Sequence, residues 1–160
     1  MNKQTSTRTR NIIRILIIIT IGIAWVHSAL PPSASDMESG FFFDLLKPIL
    51  GIFLPPELVT PLLVRKMAHF TEYAFLGGEM IAYVNACRRF EWKHILNALF
   101  SGLAVAVMDE TIQIFSGRGP AITDVWIDMA GFVTGGLIAS IITLIKVRIT
   151  NKNGVDEDIS

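Results

Sequence analysis

Residues 62–86 read LLVRKMAHFTEYAFLGGEMIAYVNA. The run is long enough to cross a bilayer, which takes about 20 mostly apolar residues. Yet it opens with Arg65, Lys66, His69 and Glu72, and it carries Glu79 further along. An ionisable group at membrane depth costs roughly 2.5–3.5 kcal/mol on insertion scales, so such groups turn toward partners and away from lipid. The stretch therefore reads as a spanning helix with one polar side. Three more apolar runs of comparable length follow this reading outward, at residues 12–30, 95–115 and 125–147. The run 95–115 closes with Asp109, Glu110 and Gln113, while Arg118, Asp124 and Asp128 lead into 125–147. The fold class expected is all-α: an integral membrane protein with four transmembrane helices in one domain over residues 1–160. The polar residues 1–10 and 151–160 are expected to be tails, the last of them disordered.

The bulk composition agrees. Hydrophobic residues make up 51% of the chain and charged ones 18%, a high apolar share for a soluble domain of this length. Net charge is zero, which removes any bulk attraction to nucleic acid. The charge is sorted by position instead. Lys3, Arg8, Arg10 and Arg14 precede the first run, Arg88, Arg89 and Lys93 separate the second from the third, and Lys146, Arg148 and Lys152 follow the fourth. The positive-inside bias puts all three clusters, and both termini, in the cytoplasm. Segments 31–61 and 116–123 then lie outside. The basic start and first run resemble a signal peptide, but the run exceeds an ordinary apolar core of about 7–15 residues, so an uncleaved signal anchor is expected. The lone Cys87 cannot form an internal disulfide and is read as a small apolar residue.

Between the first two spans, residues 31–38 read as a turn-rich link. Residues 40–54, with Phe41, Phe42, Phe43 and a kink at Pro48, are about 15 residues, too short to span. An interfacial or re-entrant segment is expected there, serving as a plug, a lid or a lipid-dipping element. Trp25 and Trp92 suit interfacial anchors. His27 lies at the level of the charged cluster and otherwise only reaches for water.

Helical phasing sorts the polar residues. Arg65, His69, Glu72, Leu76 and Glu79 fall on one side of their helix, with Lys66 and Tyr73 bordering it. His69 and Glu72, three apart, can meet directly. Gly77 and Gly78 permit close helix approach. Asp109 and Gln113 share a face. Asp124, at a helix start, suits the positive end of the dipole. Gly131-x-x-x-Gly135 is a packing motif for membrane helices, in line with Asp124 and Asp128. All the charged ends arrive at one level, the outer leaflet.

Several functions fit such a cluster. It is an internal ion-pair network, in which case the protein is structural. It is a clamp for an anionic envelope lipid or cell-wall precursor, held by Arg65, Lys66 and Arg118 with Tyr73, Gln113 and Asp128. It is a hydrolase or transferase in which His69, Glu72, Asp109, Glu110 and Asp124 do acid–base work or ligate Mg²⁺, Mn²⁺ or Zn²⁺. Or it is a proton-coupled transporter with Glu79 in the relay, which four spans without repeats make less natural unless the chain forms a homo-oligomer. No phosphate loop, zinc-spaced cysteine pair or nucleophile elbow is present in the sequence.

Three blocks carry a resemblance. They are Lys66-x-x-His69-Phe70-x-Glu72-Tyr73-x-x-Leu76-Gly77, then Asp109-Glu110-x-x-Gln113-x-Phe115-x-x-Arg118, then Asp124-x-x-x-Asp128-x-x-Gly131-x-x-x-Gly135. In this order, across residues 65–135, the sequence resembles the VanZ-like family of small bacterial membrane proteins. The resemblance implies a multi-spanning protein of the bacterial plasma membrane, in a Gram-positive organism, related to a protein associated with teicoplanin-type glycopeptide resistance. The partners it implies are a membrane lipid, a lipid-linked cell-wall precursor or the glycopeptide itself.

Overall fold

The computed structural model describes residues 6–87, 91–119 and 121–157, with side chains to residue 150. Lys3, Arg88, Arg89 and Pro120 lie outside the described residues, as does the side chain of Lys152. Among the described residues, five long helices follow one another: α1 (Thr7–Ala29), α2 (Pro32–Phe53), α3 (Pro61–Ala86), α4 (Trp92–Phe115) and α5 (Ile122–Glu157). A 3₁₀ turn, Pro56–Leu58, precedes α3. Among the described residues there is no strand.

Local chemistry sets the helix starts. The Ser6 hydroxyl accepts the Arg8 N–H at the head of α1, and the Thr60 hydroxyl accepts the Leu63 N–H at the head of α3. Each satisfies an N–H that the first helical turn leaves without a partner. Pro61 and Pro32 occupy first-turn positions, where a missing N–H costs nothing.

Helices α1, α4 and α5 are long and apolar enough to cross a membrane, by length and composition. Their outer faces are bare of protein: Ile18, Val26, Phe100, Leu137 and Leu144 are all at least half exposed. Helix α3 is more polar and is the most buried, with Val64, His69, Tyr73, Leu76, Gly77, Ile81 and Val84 all enclosed. It packs against α1, α2, α4 and α5. The polar residues of 62–86 are thus tolerated because neighbouring helices surround them. Contacts also fix direction. Arg14 meets Tyr83, Thr20 meets Glu79 and His27 meets Glu72, so α1 and α3 are antiparallel. Lys66 meets Asp124 and Asn85 meets Thr143, so α3 and α5 run the same way.

The α3–α5 seam is the closest in the molecule. A Cβ on Gly131 or Gly135 would overlap the backbone of Phe70 or Ala74, and one on Gly77 would overlap the backbone of Phe132. The glycine pair reads as a packing motif, and it packs. The Phe132 ring is enclosed against Gly102 of α4, which joins α5 to the third helix.

Helix boundaries differ from expectation at both ends of the chain, where α1 begins at Thr7 inside the expected tail and α5 runs long, and around α2. Residues 31–38 are not a link, and the segment after them is not confined to 40–54. Helix α2 starts at Pro32, runs 22 residues and continues through Pro48. The prolines at 31 and 32 act as a helix start, not a loop. At the other end, α5 continues to Glu157, into a stretch expected to be disordered.

Replacing Gly135 with Leu is expected to destabilise the protein by about 1–3 kcal/mol, the usual cost of overpacking. Gly22→Ala, where nothing lies within 4 Å, should leave stability unchanged or raise it by up to about 1 kcal/mol. Thermal unfolding in detergent reads both.

Candidate functional site

Three helices each place one ionisable side chain at a shared buried point. His69 comes from α3, Asp109 from α4 and Asp128 from α5. His69 Nδ1 lies 3.7 Å from Asp109 Oδ2 and 3.6 Å from Asp128 Oδ1. Both aspartates are fully buried, and His69 is 9% exposed. One oxygen of Asp109 is well satisfied. Ser28 Oγ donates to Oδ2 at 2.6 Å, and Gln113 Nε2 donates to it at 3.2 Å. The other polar atoms are bare: Asp109 Oδ1, both oxygens of Asp128, His69 Nδ1 and the hydroxyl of Tyr73, one helical turn on from His69. Buried polar atoms without partners are rare, because each forfeits its hydration.

A cavity of about 190 Å³ lies above this point. Its wall includes Arg65, Lys66, His69, Gln113, Arg118 and Asp124. Two of the three cations are paired. Lys66 Nζ sits 2.7 Å from Asp124, and Arg65 sits 3.7 Å from Asp36 of α2. Arg118 has no carboxylate at ion-pair distance among the described residues. It donates one bond, at 3.1 Å, to the backbone oxygen of His27. Burial and the neighbouring Arg65 hold its guanidinium below the usual arginine range, a situation that an incoming anion relieves.

Arg118 is aimed by the turn after α4. Gly117 has φ of 77°, and the N–H groups of Gly117 and Arg118 donate back to the carbonyls of Ile114 and Gln113. That is a Schellman closure, which needs a left-handed residue where Gly117 stands. The Glu110 carboxylate accepts the Ala121 N–H at 2.8 Å from the far side of the same turn.

A second, larger space opens beside the cavity. About 450 Å³ lies between α2 and α3, lined by apolar side chains including Phe42, Leu46, Val64, Met67 and Phe75. Arg65, His69 and Arg118 line both spaces.

The predicted residues therefore divide. Arg65, Lys66, His69, Gln113, Arg118 and Asp124 share the cavity, and Asp109 and Asp128 lie beneath it. Asp109 and Gln113 share a face as expected. Tyr73 is buried alongside. Glu72 does not join them and does not meet His69. It turns to α1, where His27 Nδ1 lies 2.6 Å from its Oε1. Glu79 likewise accepts from Thr20 of α1, at 3.1 Å. Glu110 is occupied by the turn and by Gln113, which donates to it at 3.2 Å. Asp128 is fully buried beneath the cavity. Sequence reasoning missed Ser28 and Asp36, and gave His27 little weight. Ser28 and Asp36 carry no local signal, since their roles depend on which helix lies opposite.

The sequence model of the VanZ/LLP1 family matches residues 7–143. The chain belongs to the VanZ/LLP1 family. The match runs from the first turn of α1 through most of α5, so the VanZ/LLP1 region includes every residue of the cavity and of the buried trio. No curated protein and no solved structure matches the chain.

Ser28→Ala removes the shortest bond to Asp109 and leaves a buried carboxylate oxygen short of a donor. It is expected to lower stability by about 1 kcal/mol. Ser116→Ala, at a half-buried position whose hydroxyl bonds only backbone oxygens, is expected to cost less. Detergent melting curves compare the two.

Proposed function

We propose that this VanZ/LLP1 protein holds the anionic head group of an envelope lipid, or of a lipid-linked cell-wall precursor, at the outer face of a bacterial plasma membrane. The observation that carries the reading is the adjoining pair of spaces. A small, cation-walled cavity takes a phosphate or carboxylate. An apolar groove takes a hydrocarbon chain. Arg65, His69 and Arg118 stand where the two meet. An amphiphile has the same two parts in the same order. Guanidinium groups suit anionic oxygens, which they grip through several N–H donors at once.

The topology behind this proposal is four spans with both termini cytoplasmic. Helix α3 is the fourth span, shielded by the apolar helices around it. Arg8, Arg10 and Arg14 at the start of α1, Lys93 at the start of α4, and Lys146 and Arg148 late in α5 gather at the end opposite the cavity, which supports an outer-leaflet site under the positive-inside bias. A precursor as occupant would connect the site to the glycopeptide response associated with VanZ.

The structural reading has some support, because Lys66–Asp124 ties α3 to α5 and Arg65–Asp36 ties α3 to α2. Arg118, half-buried, has no carboxylate partner among the described residues, and a purely internal tie has no use for an unpaired cation. The transporter reading loses its relay, because Glu79 bonds to Thr20 and lies ten residues along α3 from His69, about 15 Å at 1.5 Å per residue.

Native mass spectrometry of the full chain released from gentle detergent tests the proposal. The wild type is expected to retain an anionic lipid, and Arg118→Gln to lose at least about tenfold of it, with melting close to wild type. Retention of no lipid by the wild type, or equal retention by Arg118→Gln, overturns the reading.

A further inference from the structure

We infer that His69, Asp109 and Asp128 form a binding site for one divalent transition-metal ion of the Zn²⁺ or Mn²⁺ class, at the floor of the head-group cavity. Geometry comes first. One ligand atom from each residue can be chosen so that all lie within 4.8 Å of one another. The His69 Nδ1 separations, 3.6 and 3.7 Å, are too long for hydrogen bonds. They are close to the spacing of about 3.4 Å between ligands that each stand about 2.1 Å from a tetrahedral metal. The three side chains thus surround a point without touching each other.

The second observation is independent of the distances. Asp128 is fully buried, and neither of its oxygens has a hydrogen-bond partner. Asp109 Oδ1 and His69 Nδ1 are also bare. Several neighbouring charged groups do have partners. Glu72 has His27, Lys66 has Asp124 and Glu110 has the Ala121 N–H. Glu79 Oε2, ten residues further along α3, is the other bare carboxylate oxygen among the described residues; four of the remaining unpartnered atoms belong to His69, Asp109 and Asp128, where the metal would sit.

Charge supports the same assignment. Two carboxylates and one neutral imidazole carry two negative charges, which a divalent ion cancels. That matters in a buried site, where unpaired charge is costly. Mixed imidazole and carboxylate donors favour Zn²⁺ and Mn²⁺ over a hard ion such as Ca²⁺, which takes six to eight oxygens. Ser28 and Gln113 bond Asp109 Oδ2 from outside, in the manner of groups that orient a ligating carboxylate. Three protein ligands leave a metal position open, as in catalytic rather than purely structural sites. His69 alone of the three also lines the cavity, so an oxygen of the head group or a water reaches the ion past the imidazole.

This set differs from the sequence expectation. Asp128 replaces Glu72, Glu110 and Asp124, which the fold commits to other partners. The inference rests on the cavity reading only for the ion's role. Metal content and lipid retention are separate measurements, and a protein that retains anionic lipid but binds no metal overturns this inference alone.

The test uses the full chain in detergent, stripped with chelator, then dialysed against ZnCl₂ or MnCl₂ and passed through buffer exchange. Elemental analysis is expected to find close to one ion per chain for one of these metals. His69→Gln and Asp128→Asn should each lower that affinity at least tenfold, and Glu79→Gln should not change it. Should a variant fail to fold, the wild type loaded with Co²⁺ decides: visible d–d absorption of a low-symmetry nitrogen and oxygen site supports the assignment. Failure of the wild type to retain any of the three ions overturns it. So does full retention by folded His69→Gln or Asp128→Asn.

Discussion

The structure depends on the cost of keeping Asp109 and Asp128 out of water. Two fully buried carboxylates on neighbouring helices are a large liability in an apolar bundle, and much of this end of the bundle is arranged around them. Ser28 of α1 and Gln113 of α4 converge on one oxygen of Asp109. His69 of α3 stands between the pair. The central place of α3 follows, since it must face α1, α4 and α5 together. So does the tight α3–α5 seam, where glycines let the two backbones approach closely enough for His69 and Asp128 to face each other.

The polar end is layered. At its floor is the buried trio. Above it the cavity wall carries Arg65, Lys66 and Arg118, two paired and one not. To the side, α2 closes an apolar groove against α3. Each layer has a different chemistry: buried ionisable groups, charge pairing and bare apolar side chains. The turn after α4 links them, because Gly117 gives the backbone conformation that returns Arg118 over the site.

Much of this is legible in the sequence, for reasons that particular residues make plain. Apolar length alone marks α1, α4 and α5. Helical period puts Asp109 beside Gln113 and aligns Gly131 with Gly135, and both relations hold. The VanZ-like blocks point to the family that the chain belongs to. Phasing tells which face of a helix a residue occupies, but not what stands opposite. Glu72 therefore looks like a partner for His69 and in fact meets His27. Asp128 is expected beside the cations of the clamp and instead faces His69. The prolines at 31 and 32 read equally well as a break or a beginning, and only the packing of α2 against α3 decides that a full helix follows.

The central claim is that the cavity and the groove hold one amphiphile. An anionic lipid carrying a photoactivatable group in its acyl chain tests it most directly, with the wild type in bilayers and cross-linked peptides mapped by mass spectrometry. The account predicts adducts in α2 and α3, around Phe42, Leu46 and Phe75, that disappear in Arg118→Gln. Adducts spread over the outward faces of α4 and α5, or adducts in the groove that persist without Arg118, would contradict it.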